Sequence, residues 1–278
     1  MDAVQERARA RLAWATVIDG VLPLALVAVG VLGSESPLTW LACLAVAFGG
    51  LCLVVLTAAG LFYALSLRTG ARIQGERRKA PPMLREAAET ARAMFVAATL
   101  AAWPLSLWRL GHPTAMVWDL TPTGTSPLQM VVMMGFGVVA MDAWLYWKHR
   151  LLHTRLLFGF HKAHHHFRDP TPFAGFAVAP VESLLTFWPI LLLCIPQAVH
   201  WAPMYIALVV GFVVLNLYLH SGVTYGWVEA TLPRVLLNTS AFHNVHHSHA
   251  NVNFGEAMIL WDKICKTRLE DARRRVSA

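Results

Sequence analysis

The chain has 278 residues, of which 56% are hydrophobic and only 14% are charged. Soluble proteins are about 25% charged, so the composition excludes an ordinary soluble domain and indicates a membrane protein. The net charge of +7 does not indicate nucleic-acid binding, because the basic residues lie beside apolar segments, where they suit anionic lipid headgroups. The four cysteines form no CxxC pair, so neither a disulfide framework nor a cysteine metal site is predicted.

Six apolar segments are predicted to be embedded in a bilayer, since about 20 helical residues cross its hydrocarbon core. The first segment is preceded by Arg7, Arg9 and Arg11, which suit an interfacial amphipathic helix. A signal peptide is the alternative, although no convincing cleavage site follows. Alternatively, the first two segments form one re-entrant hairpin and the last two form another, without fully crossing the bilayer. The segments comprise residues 16–33, 38–67, 93–108, 127–147, 181–198 and 202–219.

The basic residues are distributed unevenly about these segments. With six crossings, all of the 23 Lys and Arg residues except Arg109 fall on the side of the N-terminus. Basic residues in short loops remain in the cytoplasm. The sequence therefore predicts a multi-pass protein with both termini and the histidine-rich segments in the cytoplasm.

Histidines are concentrated in two stretches, HRLLHTRLLFGFHKAHHH from His149 and HNVHHSH from His243. Residues i and i+4 of an α-helix share a face, so His149 and His153 present two imidazoles to one site. An HxxHH group follows at His161 and another begins at His243. Some His-rich tracts are unstructured metal traps, but the flanks here are apolar and helical. The pattern therefore predicts an ordered metal site.

The number of histidines indicates more than one metal ion. Nine imidazoles exceed the four ligands of a closed zinc site and fit two ions with four or five ligands each. Imidazole suits zinc, copper, iron and nickel, and neutral ligands leave each ion the positive charge that favours activation of a bound oxygen species. The predicted ligands are His149, His153, His161, His164, His165, His220, His243, His246 and His247.

The motifs within residues 140–268 resemble the fatty acid hydroxylase/sterol desaturase superfamily of membrane di-iron enzymes. They read HRLLH, FHKAHHH, HSG at 220–222, HNVHHSHANVNFG and LWDKICKT. The resemblance implies that the nine histidines hold two iron ions, which zinc replaces in overexpressed protein. It also implies an oxidoreductase that uses O2 and a separate electron-donor protein to hydroxylate or desaturate a C–H bond of a membrane lipid.

The same resemblance suggests residues that support the ligands. Many relatives carry another histidine four residues before His220, where this chain has Asn216, which implies a water-linked position or simple packing. Asp142 lies two helical turns before His149 and is predicted to orient a ligand N–H. Glu182 and Asp262 are predicted to have structural or orienting roles. Four histidines fall outside the pattern and are predicted not to bind metal: His112, His166, His200 and His249.

The predicted fold is all-α, a polytopic helical membrane protein with about six membrane-embedded helices and a cytosolic histidine-rich helical cap. We predict an N-terminal membrane-helix region over residues 1–140 and a di-iron region over 141–278, within one integral membrane domain. Within the superfamily, a sterol C-5-type desaturase or a C-4 methyl oxidase is an alternative, and Arg72-Ile73-Gln74 is similar to a segment of the sterol-oxidising members.

Two other classes of protein compete with the enzyme interpretation. A His-rich metal transporter or storage protein is the first, but transporters place ionisable ligands near the middle of the membrane, where these apolar segments have almost none. A haem protein is the second, and it requires axial histidines at facing depths, without repeated HxxHH groups.

Overall fold

The computed structural model describes residues 3–76 and 80–276, and the side chains of residues 12–76 and 80–274. This part of the chain is mostly helical, which confirms the predicted all-α class. Arg7, Arg9 and Arg11, predicted on an interfacial helix, lie outside the described side chains. The α-helices are α1 (Ala3–Gly33), α2 (Pro37–Thr69), α3 (Met83–Arg109), α4 (Pro127–Leu152), α5 (Pro180–Phe187), α6 (Ala202–Leu219), α7 (Gly226–Thr231), α8 (Ser240–His249), α9 (Leu260–Cys265) and α10 (Leu269–Val276); the strands are β1 (Ala71–Arg72), β2 (Met116–Val117), β3 (His200–Trp201) and β4 (Val223–Thr224).

Within the described residues, five helices are long and apolar enough to cross a membrane: α1 from Leu12, α2, α3, α4 and α6. Large apolar side chains on these helices are exposed, such as Leu32 at 85% and Leu53 at 70%. Apolar surface on this scale is stable when hydrocarbon covers it. The chain is therefore a multi-pass integral membrane protein.

The predicted segment 181–198 differs from the other five. Here α5 ends at Phe187 and a 3-10 helix continues from Trp188 to Cys194, so that the apolar stretch Pro180–Cys194 is shorter than 18 residues. Pro189 explains the change, because proline has no N–H to continue the α-helical hydrogen bonding. The sequence pattern identifies an apolar helical segment here but overestimates its length.

The chain divides into two compact units, each made of three stretches. The first unit contains the residues up to Val54, Ala91–Ala140 and Ala179–Gly211. The second contains Val55–Thr90, Met141–Val178 and the residues from Phe212 onward.

The core of the first unit forms around Trp40, which is fully buried against Ala98 and Ala102. Its ring meets the edge of the Trp103 ring at a centroid distance of 6.1 Å. A Cβ at Gly30 would lie 2.1 Å from the Trp40 ring. Small residues on the neighbouring helices therefore allow the indole to pack between them.

A buried carboxylate supports the start of α5 within the first unit. Asp19 belongs to the membrane-spanning part of α1, and its Oδ1 accepts a hydrogen bond of 2.9 Å from the N–H of Val181. The first N–H groups of a helix have no partner within the helix, and a carboxylate in hydrocarbon is costly unless it is hydrogen bonded. Each group thus satisfies the other, a contact that the apolar pattern does not indicate.

The second unit contains all nine predicted ligands. Strand β1 pairs with β4 in antiparallel register, with Ala71 opposite Thr224. Helix α8 begins after Thr239, whose side-chain oxygen accepts the N–H of Phe242 at 3.3 Å, as an N-cap threonine does. This cap fixes where the HNVHHSH stretch enters its helix.

Candidate metal centre

The nine predicted ligands lie in two groups, and within each group the candidate ligand atoms are all within 4.8 Å of one another. Two nitrogens on opposite sides of one ion are about 4.2 Å apart, since a metal–imidazole bond is about 2.1 Å long. Each group is thus close to the size of a single coordination sphere. The five-histidine group contains His149, His153, His161, His165 and His246, and the four-histidine group contains His164, His220, His243 and His247.

Helix α4 presents the first pair of ligands as the spacing predicts. The helix ends at Leu152, but the N–H of His153 still bonds to the carbonyl of His149 at 3.2 Å, which keeps the two imidazoles on one face. The hydroxyl of Thr154 then donates to the carbonyl of Leu151, a local bond that competes with helix continuation.

The two HxxHH groups have different backbone conformations. His161 and His164 lie in a region of turns and short 3-10 helices, and His164–His166 is itself one 3-10 turn. His243 and His247 lie on α8 and keep α-helical spacing. The first HxxHH group is therefore presented by 3-10 turns and not by the α-helix that its spacing suggests.

Backbone carbonyls fix the proton on three of the imidazoles. The Nδ1 atoms of His149, His246 and His220 lie 2.8, 2.8 and 2.9 Å from the carbonyl oxygens of Phe254, Val252 and Asn216. A carbonyl only accepts hydrogen bonds, so each Nδ1 carries the proton and each Nε2 presents a lone pair.

These Nε2 lone pairs converge within the groups. The Nε2 of His220 faces the Nε2 atoms of His164 and His243 at 3.3 and 3.0 Å. In the other group, the Nε2 of His165 faces those of His153 and His246 at 3.1 Å each. The single lone pair of an imidazole nitrogen does not accept two such hydrogen bonds in its ring plane. A cation at the centre of each group satisfies all the lone pairs, so these residues fit a metal ion.

Burial keeps the imidazoles neutral, as metal ligands must be. Desolvation lowers the pKa of His165 and of His220 to about 4, and that of His153 to about 3. These histidines are unprotonated near neutral pH. For the remaining ligands outside the spanning helices, desolvation likewise holds the pKa well below 6.5: His161, His164, His243, His246 and His247.

The loop formed by residues 252–258 supplies two of the orienting carbonyls and is itself held by two carboxylates. Asp142 accepts the N–H of Met258 at 3.0 Å. Asp262 accepts the N–H groups of Phe254 and Gly255 at 2.9 and 2.6 Å. Asp142 therefore bonds to the loop whose carbonyls orient His149 and His246, and not to the N–H of a ligand as predicted.

Two further contacts, which the sequence pattern does not predict, hold the same loop. The Nδ2 of Asn238 donates to the carbonyl of Gly255 at 2.7 Å. The Nζ of Lys148 lies 2.7 Å from Oε1 of Glu256, and the lysine side chain is buried. Lys148 precedes a predicted ligand and Glu256 follows the NFG motif, but neither position alone indicates an ion pair between residues so far apart in sequence.

Glu182 is buried, and Asn216 is partly buried. The carbonyl of Asn216 accepts the Nδ1 proton of His220, and its side-chain oxygen is buried without a hydrogen-bond partner among the described residues. Glu182 lies in the first turn of α5, in the first unit. Asn216 therefore contacts a predicted ligand through its backbone carbonyl.

The other four histidines have different neighbours. The Nε2 of His166 lies 2.9 Å from Nη1 of Arg85, and the Nδ1 of His249 donates to a carbonyl of its own helix. His112 and His200 belong to the first unit. None of the four is a member of either histidine group.

Residues 134–267 match the fatty acid hydroxylase family. Human lathosterol oxidase is 32% identical over 127 residues, which are 44% of this chain and 40% of that protein. One Delta(7)-sterol 5(6)-desaturase of Aspergillus fumigatus is 30% identical over 189 residues, 64% of this chain and 51% of that protein. The chain thus spans about half or less of the length of these relatives. No solved structure matches the chain.

The family match covers α4 from Met134 onward, both HxxHH groups and the loop of residues 252–258. It therefore covers all nine histidines of the two groups. Residues 134–267, with all nine of these histidines, belong to the fatty acid hydroxylase/sterol desaturase superfamily.

Proposed function

We propose that this protein is a membrane-bound di-iron oxygenase that uses O2 and electrons from a separate donor protein to hydroxylate or desaturate an unactivated C–H bond of a lipid. The observation that carries the proposal is the convergence of neutral, buried or partly buried imidazoles into groups of five and four. The superfamily membership gives the class of chemistry, and the five apolar helices indicate a lipid substrate.

The five-histidine and four-histidine groups would each hold one iron ion. When bound, two iron ions supply the electrons and the Lewis acidity that activate O2 for hydrogen abstraction. Nδ1 donation to backbone carbonyls sets the ring orientation of His149, His220 and His246, and so the direction of their Nε2 lone pairs, before any ion binds. Such preorganisation favours one geometry of the two sites.

Phe254 contributes an apolar wall to the five-histidine group. It is buried, and its ring centroid lies 5.3 Å from that of His153, 5.7 Å from that of His246 and 6.0 Å from that of His149. An apolar side chain at this distance limits water around the ligands and lowers the local dielectric. Excluding water protects a reactive oxidant from side reactions before the substrate C–H bond is attacked.

The proposed substrate is a membrane lipid of the sterol type. Both relatives named above carry sterol-related names, lathosterol oxidase and Delta(7)-sterol 5(6)-desaturase, which favours a fused-ring substrate over a simple acyl chain. Hydroxylation and desaturation begin with the same hydrogen abstraction and differ in whether oxygen is transferred or a second hydrogen is removed. The product of the reaction distinguishes them.

The proposed orientation has both termini and the metal centre in the cytoplasm. It requires Pro180–Cys194 and α6 either to cross the bilayer as a pair or to form a re-entrant hairpin, so that both histidine stretches lie on one side. All of the 23 basic residues except Arg109 then lie on that side, which basic loops mark as cytoplasmic. In this orientation an apolar substrate enters from the bilayer, and the electron donor approaches from the cytosol.

Two measurements test the proposed function. Protein purified under reducing, chelator-free conditions should contain about two metal ions per chain, iron in the active form, with zinc as a substitute after overexpression. Cells that express the chain should form an oxidised or desaturated lipid that cells expressing the His164→Ala/His246→Ala variant lack. A folded, monodisperse protein with no bound metal, or lipid profiles that do not differ between the two cell lines, would exclude the proposal. Metal uptake without a lipid product would favour the transporter or storage alternative.

A further inference from the structure

A short segment outside the family match contacts the backbone that follows His220, a member of the four-histidine group. Residues 70–75, here called the strap, connect α2 to the chain preceding α3 and include β1. The strap pairs with β4, and the N–H of Ile73 bonds to the carbonyl of Gly222 at 3.2 Å. Because β4 begins three residues after His220, this pairing fixes the backbone that leaves one ligand.

Two glycines allow the strap to approach this closely. A Cβ at Gly70 would lie 2.5 Å from Cγ2 of Val223. Gly222 has a φ of +69°, and a Cβ there would lie 2.9 Å from Nη1 of Arg72. Larger residues at either position would separate the two backbones, so the close contact is built into the sequence on both sides.

Side chains of the strap reach two more ligand-bearing segments. The Nη2 of Arg72 contacts both carboxylate oxygens of Asp169, at 2.7 and 2.5 Å. The amide Nε2 of Gln74 donates to the carbonyl of Arg168 at 2.6 Å and to Oδ1 of Asn244 at 3.0 Å. Arg168 and Asp169 follow His164 in the chain, and Asn244 is the residue after His243. The strap thus joins the segments that carry His164, His220, His243 and His247.

The four-histidine group has fewer direct supports of its own. The Nδ1 atoms of His243 and His247 are buried and have no hydrogen-bond partner among the described residues. In the five-histidine group, by contrast, His149 and His246 both donate to the loop of residues 252–258. The positions of the four-histidine ligands therefore depend more on where their backbone segments are held.

We propose that the strap is a positioning element for the four-histidine group, with Gln74 as its central residue, and that it sets the metal affinity of this group and not that of the five-histidine group. The inference rests on the proposed function, because it assumes that both groups bind metal. Disrupting the strap should therefore weaken the binding of one of the two ions.

The test compares full-length Gln74→Leu with the wild-type protein. Leucine has a similar size but donates neither hydrogen bond of Gln74. We expect the wild type to hold about two ions and the variant about one, with the second ion binding only at roughly tenfold higher free metal, the lower end of the loss seen when support of a ligand is removed. The matched control is Gln197→Leu, the same substitution at an exposed glutamine in the first unit. It should retain both ions.

Asp169→Asn provides a second variant, since it removes the charge that pairs with Arg72 and keeps the shape of the side chain. It should also lose one ion selectively, and it decides the matter if Gln74→Leu does not fold. The melting temperature of the metal-free protein should be unchanged in both variants, which separates positioning of ligands from general stability. Retention of both ions at wild-type affinity, or equal loss of both ions, would overturn the strap proposal while leaving the proposed function intact. A wild-type protein that binds no metal would overturn both.

Discussion

His164 and His165 are neighbours in the sequence, but their imidazoles belong to different groups. The Nε2 of His164 lies 3.3 Å from that of His220, whereas the Nε2 of His165 lies 3.1 Å from that of His246. His246 and His247 are divided between the groups in the same way. Each HH pair therefore contributes one ligand to each of the two proposed metal sites.

The unequal size of the groups predicts unequal metal loss. His164→Ala leaves three imidazoles in its group, whereas His165→Ala leaves four. Both variants should lack turnover, because both ions are needed, but His164→Ala should lose close to one ion and His165→Ala should lose less. Elemental analysis alongside lipid-product measurement checks this. Full activity in either variant would contradict the ligand assignment.

The four histidines outside the groups should tolerate substitution. His112 contacts Glu35 at an exposed position and His200 packs against the Tyr205 ring, so His112→Ala and His200→Ala should retain activity within a few-fold. His166→Ala and His249→Ala should cause partial loss at most. Product formation, normalised to protein level, is the measurement. Complete loss in a well-folded variant would require another ligand set.

Asp142 should act on the metal centre through the loop of residues 252–258. Asn at this position keeps an acceptor for the N–H of Met258 but removes the charge. Asp142→Asn should therefore lower metal affinity or activity about 10- to 100-fold without abolishing it. The metal affinity of the purified variant provides the readout. Wild-type affinity and activity would show that the carboxylate charge does not support the centre.

Stability of the metal-free protein should decrease as the pH falls below about 6.5. His165 and His220 have pKa values of about 4 in the folded chain, against an ordinary value of 6.5 in the unfolded chain, because burial disfavours their charged forms. Between these values the unfolded state binds more protons, so acid favours unfolding. The melting temperature at pH 5 should thus be lower than at pH 7.5. An equal or higher value at pH 5 would contradict buried, neutral imidazoles.

The proposed orientation predicts a labelling pattern. Single cysteines at Glu76, Leu156 and Asn251, introduced after replacement of the four native cysteines, should react with an impermeant reagent only from the cytosolic side. A cysteine at Thr123 should react only from the opposite side. Labelling of positions 156 and 251 from opposite sides would exclude a shared metal centre, because a bilayer would separate its ligands.

The sequence by itself determined the membrane class, the helical fold and the residues around which the site forms. Apolar runs identify membrane helices because each residue in hydrocarbon carries a transfer free energy, and these add along the segment. The HxxxH and HxxHH spacings identified the nine histidines because ligands of one ion must be close in space, and short sequence separations ensure this for part of each site. Pro189 ends the α-helical part of the predicted segment 181–198, and the apolar composition of that segment does not indicate this.

Only the tertiary structure decided how the nine histidines divide between two groups and what holds them. Adjacent residues such as His164 and His165 have the same local spacing, and their division depends on the positions of α4, α6 and α8, which come from distant parts of the chain. Gln74 contacts Asn244 across 170 residues, and Lys148 likewise contacts Glu256 from a distant part of the chain. No periodic pattern records such pairs, because each hydrogen bond or ion pair depends on where folding brings two particular atoms together.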